Sequence, residues 1–186
     1  MSPRAIATYW HTQGELLFTY SPQVLASLGM APADQALLAT VGLPRDAAPY
    51  LSFDTTLERV STTYNLPLGF AQFVQLGTDG VGNPIVLNTS SNAYVEWLDH
   101  DRGFAAHYIN CSLQAFMASL VAYRRFIEDL LATRGEEAYL DADFTDEQLT
   151  VLQQSLREVD AQALAEDGFW QLEISTLLAN RAEFKQ

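Results

Sequence analysis

Cysteine is almost missing from this sequence. Cys111 is the only one, so no disulfide can form within the chain and no thiolate metal cluster can be built. Lysine is almost missing too: the ten basic residues are nine Arg and Lys185, set against 23 Asp and Glu, for a formal net charge of −13. That balance excludes a general electrostatic attraction to nucleic acid or to an anionic membrane, and it favours basic protein partners. Long apolar runs are also lacking. Nothing approaches the ~20 consecutive apolar residues of a membrane span, and Met1 to Thr8 has no signal-peptide core. The expectation is a soluble, cytoplasmic protein.

What is present is enough for a packed core. Of the 186 residues, 48% are hydrophobic and 11% aromatic, which excludes global disorder. A chain of this length buries roughly 70% of its extended surface on folding. The default is a single domain over 1–186, with a core about 25–133 and an acidic helical extension about 134–186.

The charge is uneven. From Glu128 to Glu173 there are 13 acidic residues against Arg134 and Arg157, a net of −11, whereas residues 1–127 carry a net of only −3. Such a run reads either as a solvated helical face or as a surface that attracts a basic partner.

The first fifty residues are punctuated by turns. Ser21-Pro22 suits the start of a short helix, Gln23 to Leu28, ended by Gly29, with Ser21 as its cap. Gly42-Leu43-Pro44 is a break. Strands are expected at Tyr50–Phe53, Phe70–Gly77, Pro84–Asn88, Ala93–Leu98 and Ala106–Asn110, joined by hairpin-sized links.

The period then changes. Leu113, Phe116, Met117, Leu120, Tyr123, Ile127, Leu130 and Leu131 recur at three and four residues, with Ser112 placed to cap the helix and Gly135 to end it. Thr145-Asp146-Glu147-Gln148 fits a capping box before a second apolar stripe. After Gly168 the segment Phe169 to Leu178 is a last helix or an extended tail. Strands followed by helices predict an α+β fold: a mostly antiparallel twisted sheet flanked by helices.

Three segments could carry chemistry. Gly77 to Asn83 is glycine-rich and follows a strand, but a phosphate loop should lead into a helix and usually carries a Lys, and here a strand follows. A tight strand connection is the expected role. Asp99-His100-Asp101 with His107 offers metal-ligand residue types, yet His11 is the only other histidine. Cys111 sits where a helix N-terminus can lower a thiol pKa, and His107 is near in sequence, but no third orienting group is evident and there is no G-x-S-x-G elbow. No catalytic set, metal or cofactor is expected.

The order of segments says more than any one of them. Gly42-Leu43-Pro44 precedes a strand; Gly77-Thr78-Asp79-Gly80 joins two strands; Asn110-Cys111-Ser112-Leu113-Gln114-Ala115-Phe116 enters the long helix. This series resembles the SUKH superfamily, and especially its fourth subgroup of bacterial immunity proteins, over roughly 25–175. The acidic region closing on Phe169-Trp170 resembles that group's C-terminal extension. Cys111 departs from the family pattern, which more often has a small polar or apolar residue there.

The resemblance implies a SUKH-like α+β domain that is not an enzyme. It would bind and block a cognate toxin, often a nuclease or nucleic-acid deaminase, in the producing cell. Binding residues in this superfamily vary with the toxin, so the contact residues are expectations from the sequence alone. They are Asp79, Glu96, Trp97, Asp99 and Asp101 on the loops and hairpin, and Glu136, Glu137, Asp141 and Asp143 as a second patch. The alternative is a regulatory or scaffold domain of the same fold with no toxin partner.

Overall fold

A computed structural model describes residues 1–90 and 93–184. Three helices open the chain, each with a proline at its start: α1 (Pro3–Thr12), α2 (Pro22–Ser27) and α3 (Pro32–Thr40). Proline lacks the N–H that a helix start leaves unpaired, so it costs nothing there. In α1 the Ser2 hydroxyl accepts from the Ala5 N–H, and Ile6, Tyr9 and Trp10 bury one face. Only the second of these helices was expected, and it runs one residue earlier. Its expected cap is also corrected: the Ser21 hydroxyl donates to the Gln23 side chain instead of accepting from the helix backbone.

Between these helices, β1 (Leu17–Phe18) pairs antiparallel with β2 (Leu43–Pro44). Gly42 is fixed by this approach: at φ 81 its Cβ position would fall on the Phe18 carbonyl.

The main sheet is a six-stranded antiparallel meander in chain order: β3 (Asp46–Ala47), β4 (Leu51–Arg59), β5 (Phe73–Thr78), β6 (Pro84–Asn88), β7 (Val95–Asp99) and β8 (Ala105–Asn110). The short helix α4 (Val60–Thr63) follows β4. The strand expected from Phe70 begins only at Phe73, because Leu68–Phe70 forms a 3-10 turn behind Pro67. The strand expected from Ala93 begins at Val95, since Ala93 has φ 48, outside the extended region. Ser91 and Asn92, in the β6–β7 link read as a hairpin, lie outside the described residues.

Side chains alternate across the sheet. Val74, Leu76, Ile85, Leu87 and Ile109 face the main core, while Phe73, Val86 and Leu98 face a smaller cluster on the other side with Val60. The main core is covered by α5 (Leu113–Arg134), 22 residues and therefore ~33 Å long. Ser112 caps it as expected, accepting from the Ala115 N–H at 3.1 Å.

The acidic third packs into the same core. α6 (Asp146–Val159) begins with the expected capping box, Thr145 and Gln148 bonding reciprocally, and buries Leu149, Leu152 and Leu156. Phe169 to Phe184 is a helix, α7, burying Phe169, Trp170, Ile174 and Leu177. The continuous apolar cluster extends from Ile6 to Leu177, across the boundaries drawn from the sequence. Among the described residues, no helix is long and apolar enough to cross a membrane.

Candidate partner-binding surface

The loop end of the sheet gathers residues far apart in sequence. The Asp79 carboxylate accepts from the Val81 and Asn83 N–H groups at 3.0 and 2.8 Å, and from the Asn83 amide at 2.9 Å. These bonds shape the β5–β6 connection as the expected tight turn and occupy the backbone donors that a phosphate would need. Asn83 is buried, and its Oδ1 accepts from the His100 N–H at 3.1 Å and lies 2.7 Å from His100 Nδ1. The β5–β6 and β7–β8 connections are thus locked side by side.

At the β7–β8 turn, Asp99 caps a 3-10 turn, accepting from the Asp101 and Arg102 N–H groups, and pairs with Arg102 at 3.5 Å. Asp101 is fully in solvent apart from a 3.4 Å approach to His100 Nε2. The remaining two loop-group residues lie elsewhere. Glu96 is half-buried on the outer sheet face, where it accepts from Asn88 at 2.9 Å; burial raises its pKa and the Asn88 bond partly offsets this. Trp97 stacks on His107 with centroids 4.4 Å apart and packs against the main core. The structure therefore brings Asp79, Asp99 and Asp101 together and sets Glu96 and Trp97 apart from them.

Beside the Asp79 turn is a feature the sequence did not announce. Tyr50 and Val81 project into solvent, 72% and 75% exposed, at the mouth of a 280 Å³ pocket that also includes Phe169 and Glu173. Gly80 lets Tyr50 lie close, since a Cβ there would be 3.0 Å from the Tyr50 Cβ. Glu173 has no hydrogen-bond donor among the described residues. Burial, and secondarily the Asp79 charge, push its pKa up to about 7. No pattern in the sequence separates Glu173 from the other acids, because its surroundings come from the β3–β4 and β5–β6 turns, about a hundred residues earlier.

The second acidic group lies on the α5–α6 connection. Glu136, Glu137 and Asp141 are exposed, and Asp143 pairs with Arg134 at 3.0 Å. Leu140 stands among them, 63% exposed.

The other chemical candidates resolve structurally. Cys111 is exposed, but its thiol pKa is raised, by burial first and by the Asp160 charge second, so it is not an activated nucleophile. His107 is engaged by Trp97. Among the described residues, no group of three or more His, Cys, Asp or Glu is placed to hold a metal ion.

Asp160 explains the Cys111 environment. It is buried at the end of α6, and one carboxylate oxygen accepts from the Tyr108 hydroxyl at 2.7 Å, the Cys111 N–H at 2.8 Å and the Asn110 amide at 3.1 Å. Asn110 in turn accepts from Trp170 Nε1 at 3.0 Å. This network pins the acidic third to β8, the sheet edge, and to the Asn110-to-Phe116 segment entering α5.

The comparison with known families is decisive: the profile of the SUKH-4 immunity protein family matches residues 9–175. The chain belongs to the SUKH-4 immunity protein family. Neither a curated protein nor a solved structure matches it. The SUKH-4 match runs from Tyr9, in the last turn of α1, to Ser175, in the first half of α7, and spans α2, α3 and α6 in full. The family assignment supports an immunity function, which implies a toxin as partner.

Proposed function

We propose that this protein neutralises a cognate bacterial toxin domain, a nuclease or nucleic-acid deaminase, by binding it tightly and occluding its active site in the cytoplasm of the producing cell. It acts as a stoichiometric inhibitor, not as a catalyst. The observation that carries the reading is membership of the SUKH-4 family combined with a net charge of −13. Enzymes that act on nucleic acid need a basic groove, and an acidic inhibitor gains association rate and selectivity against it.

The proposed contacts are the loop group, Asp79, Glu96, Trp97, Asp99 and Asp101, and the acidic group, Glu136, Glu137, Asp141 and Asp143. Within the first, Asp101 is free to pair with a basic side chain, whereas Asp79 and Asp99 support the reading by holding the loops in shape. Tyr50 and Val81 supply apolar area next to them, as an interface anchor requires.

The test is co-expression and pull-down with the toxin encoded beside the gene. The expected result is a stable complex at sub-micromolar concentration and rescue of growth. Absence of a complex at micromolar concentration would sink the proposal and leave a regulatory or scaffold role for the fold.

A further inference from the structure

A trough runs along α5 on the side away from the sheet. Its larger part, about 700 Å³, lies between α5 and α6. Its smaller part, about 350 Å³, continues toward α3, and the two share Met1, Ala118 and Val159. The floor is apolar and low: Ala118, Ala122 and Phe126 from α5 face Leu152 and Ser155 from α6. Val151 stands at its edge, 64% exposed on a helix whose other exposed positions are almost all polar.

The charged side chains around this trough are mostly acidic. Asp129, Glu147 and Glu158 line the larger part. At the far end, Asp34 is 92% buried by its 8% exposure, lines the smaller part, and has no donor among the described residues. Burial raises its pKa. Its carboxyl oxygens are not sealed from solvent, so an incoming donor can reach them from the trough. Arg125 is the only cationic side chain lining the trough among the described residues, and its guanidinium is turned over the Tyr9 ring, 5.2 Å from the centroid.

We propose that this trough docks a basic amphipathic helix of the toxin, its apolar face on Ala118, Ala122, Phe126 and Val151 and its Lys or Arg side chains on Asp34, Asp129, Glu147 and Glu158. The proposal rests on the toxin-binding reading above and adds to it a second contact surface and the partner's secondary structure. The stretch from Ala118 to Asp129 is ~16 Å of helix, the length of about three turns in the occupant. A second copy of this chain fits poorly, because it would bring another −13 against the same carboxylates.

The experiment has two arms and uses the full chain. In the first, an 18-residue Leu/Lys amphipathic peptide and its Leu/Glu counterpart are titrated against wild type, Val151→Arg and Ser155→Trp, with thermal melts confirming that the variants fold. The expected result is Leu/Lys binding that weakens at least tenfold in both variants, with no Leu/Glu binding. Equal binding of the two peptides, or Leu/Lys binding indifferent to Ser155→Trp, overturns the trough assignment. A dimer of wild type that Val151→Arg dissociates overturns it as well, by showing a second copy in the trough.

In the second arm the neighbouring toxin is titrated against the same proteins. A hundredfold loss in the trough variants is expected. Unchanged toxin affinity in those variants overturns the proposal and leaves the immunity reading intact. No toxin binding by wild type removes the immunity reading itself, and the toxin-specific proposal with it, even where the peptide binds.

Discussion

Asp160 and Glu173 belong to the same acidic third, and both are drawn into the protein, yet their surroundings are opposite. At Asp160 burial works against the charge, but the bonds from Tyr108, Cys111, Gln162 and Asn110 outweigh it and hold the carboxyl below the ordinary range. At Glu173 burial meets no donor, Asp79 adds a like charge, and the pKa rises to about 7. A carboxylate taken from water stabilises a fold only where donors replace the water. The α6–α7 connection is therefore a fastening, and the Tyr50–Glu173 pocket is a cost that the rest of the fold carries.

The sharpest way to break this contrast is Asp160→Ala. It strands the Tyr108 hydroxyl, the Asn110 amide and the Cys111 N–H together, and urea denaturation should show a loss of about 3–5 kcal/mol. Asp160→Asn, which keeps an acceptor oxygen, should lose roughly half as much. A loss below about 1 kcal/mol for the alanine variant would mean the network is not a fastening. The pH dependence has a defined sign. Because the folded pKa is lowered, the Asp160 contribution is present above the ordinary Asp value near 3.8 and fades as pH falls through the folded pKa.

Trp170→Phe probes the same network one bond further out. It removes the Nε1 donor to Asn110 and leaves most of the ring packing, so a loss of about 1–2 kcal/mol is expected in the same denaturation assay.

Glu173→Gln should act in the opposite direction. With a folded pKa raised to about 7 from 4.5, the wild-type acid binds its proton more tightly when folded, so stability falls as pH rises from about 4.5 to 7 and the penalty is complete above that. The glutamine variant should be more stable at pH 8 by about 1–2 kcal/mol, after allowing for partial solvent screening, and indistinguishable at pH 4. Melting curves at the two pH values check this; an equal shift at both would show that charge is not the cause.

The smallest effect on stability is expected where the acids are solvated. Glu136→Gln with Glu137→Gln should change stability by no more than about 0.5 kcal/mol. If these residues steer a basic toxin, the same change should slow association several-fold at low salt and hardly at all at high salt. Stopped-flow association at two ionic strengths separates the possibilities.

Legibility from the sequence followed the same physics. The five strands and the helices α5 and α6 were readable because period, caps and breakers are local: Ser112, Thr145 and Gln148 act on atoms within a few residues. α1 and α3 were missed because their apolar faces are short, although Pro3, Pro22 and Pro32 at three helix starts form a signal that could have found them. Among the contact candidates, Asp79, Asp99 and Asp101 do converge, through Asn83 and His100, and Glu96 and Trp97 do not join them, because Glu96 is held by Asn88 on the outer sheet face and Trp97 packs against the main core. Tyr50, Asp34 and Glu173 were illegible because each gains its character from a segment distant in the chain.

The sequence alone determined the α+β class, the order of strands before long helices, the location of the negative charge and, through the order of its short motifs, the family resemblance. These depend on composition and on contacts within a few residues. Tertiary structure decided which carboxylates are surface and which are not: Asp160 as a satisfied anchor, Glu173 and Asp34 as enclosed acids without a protein donor among the described residues, Glu136 and Glu137 as solvated charge. The reason is that an ionisable group's energy is set by the donors, charges and solvent around it, and those are brought together only when the helices close on the sheet.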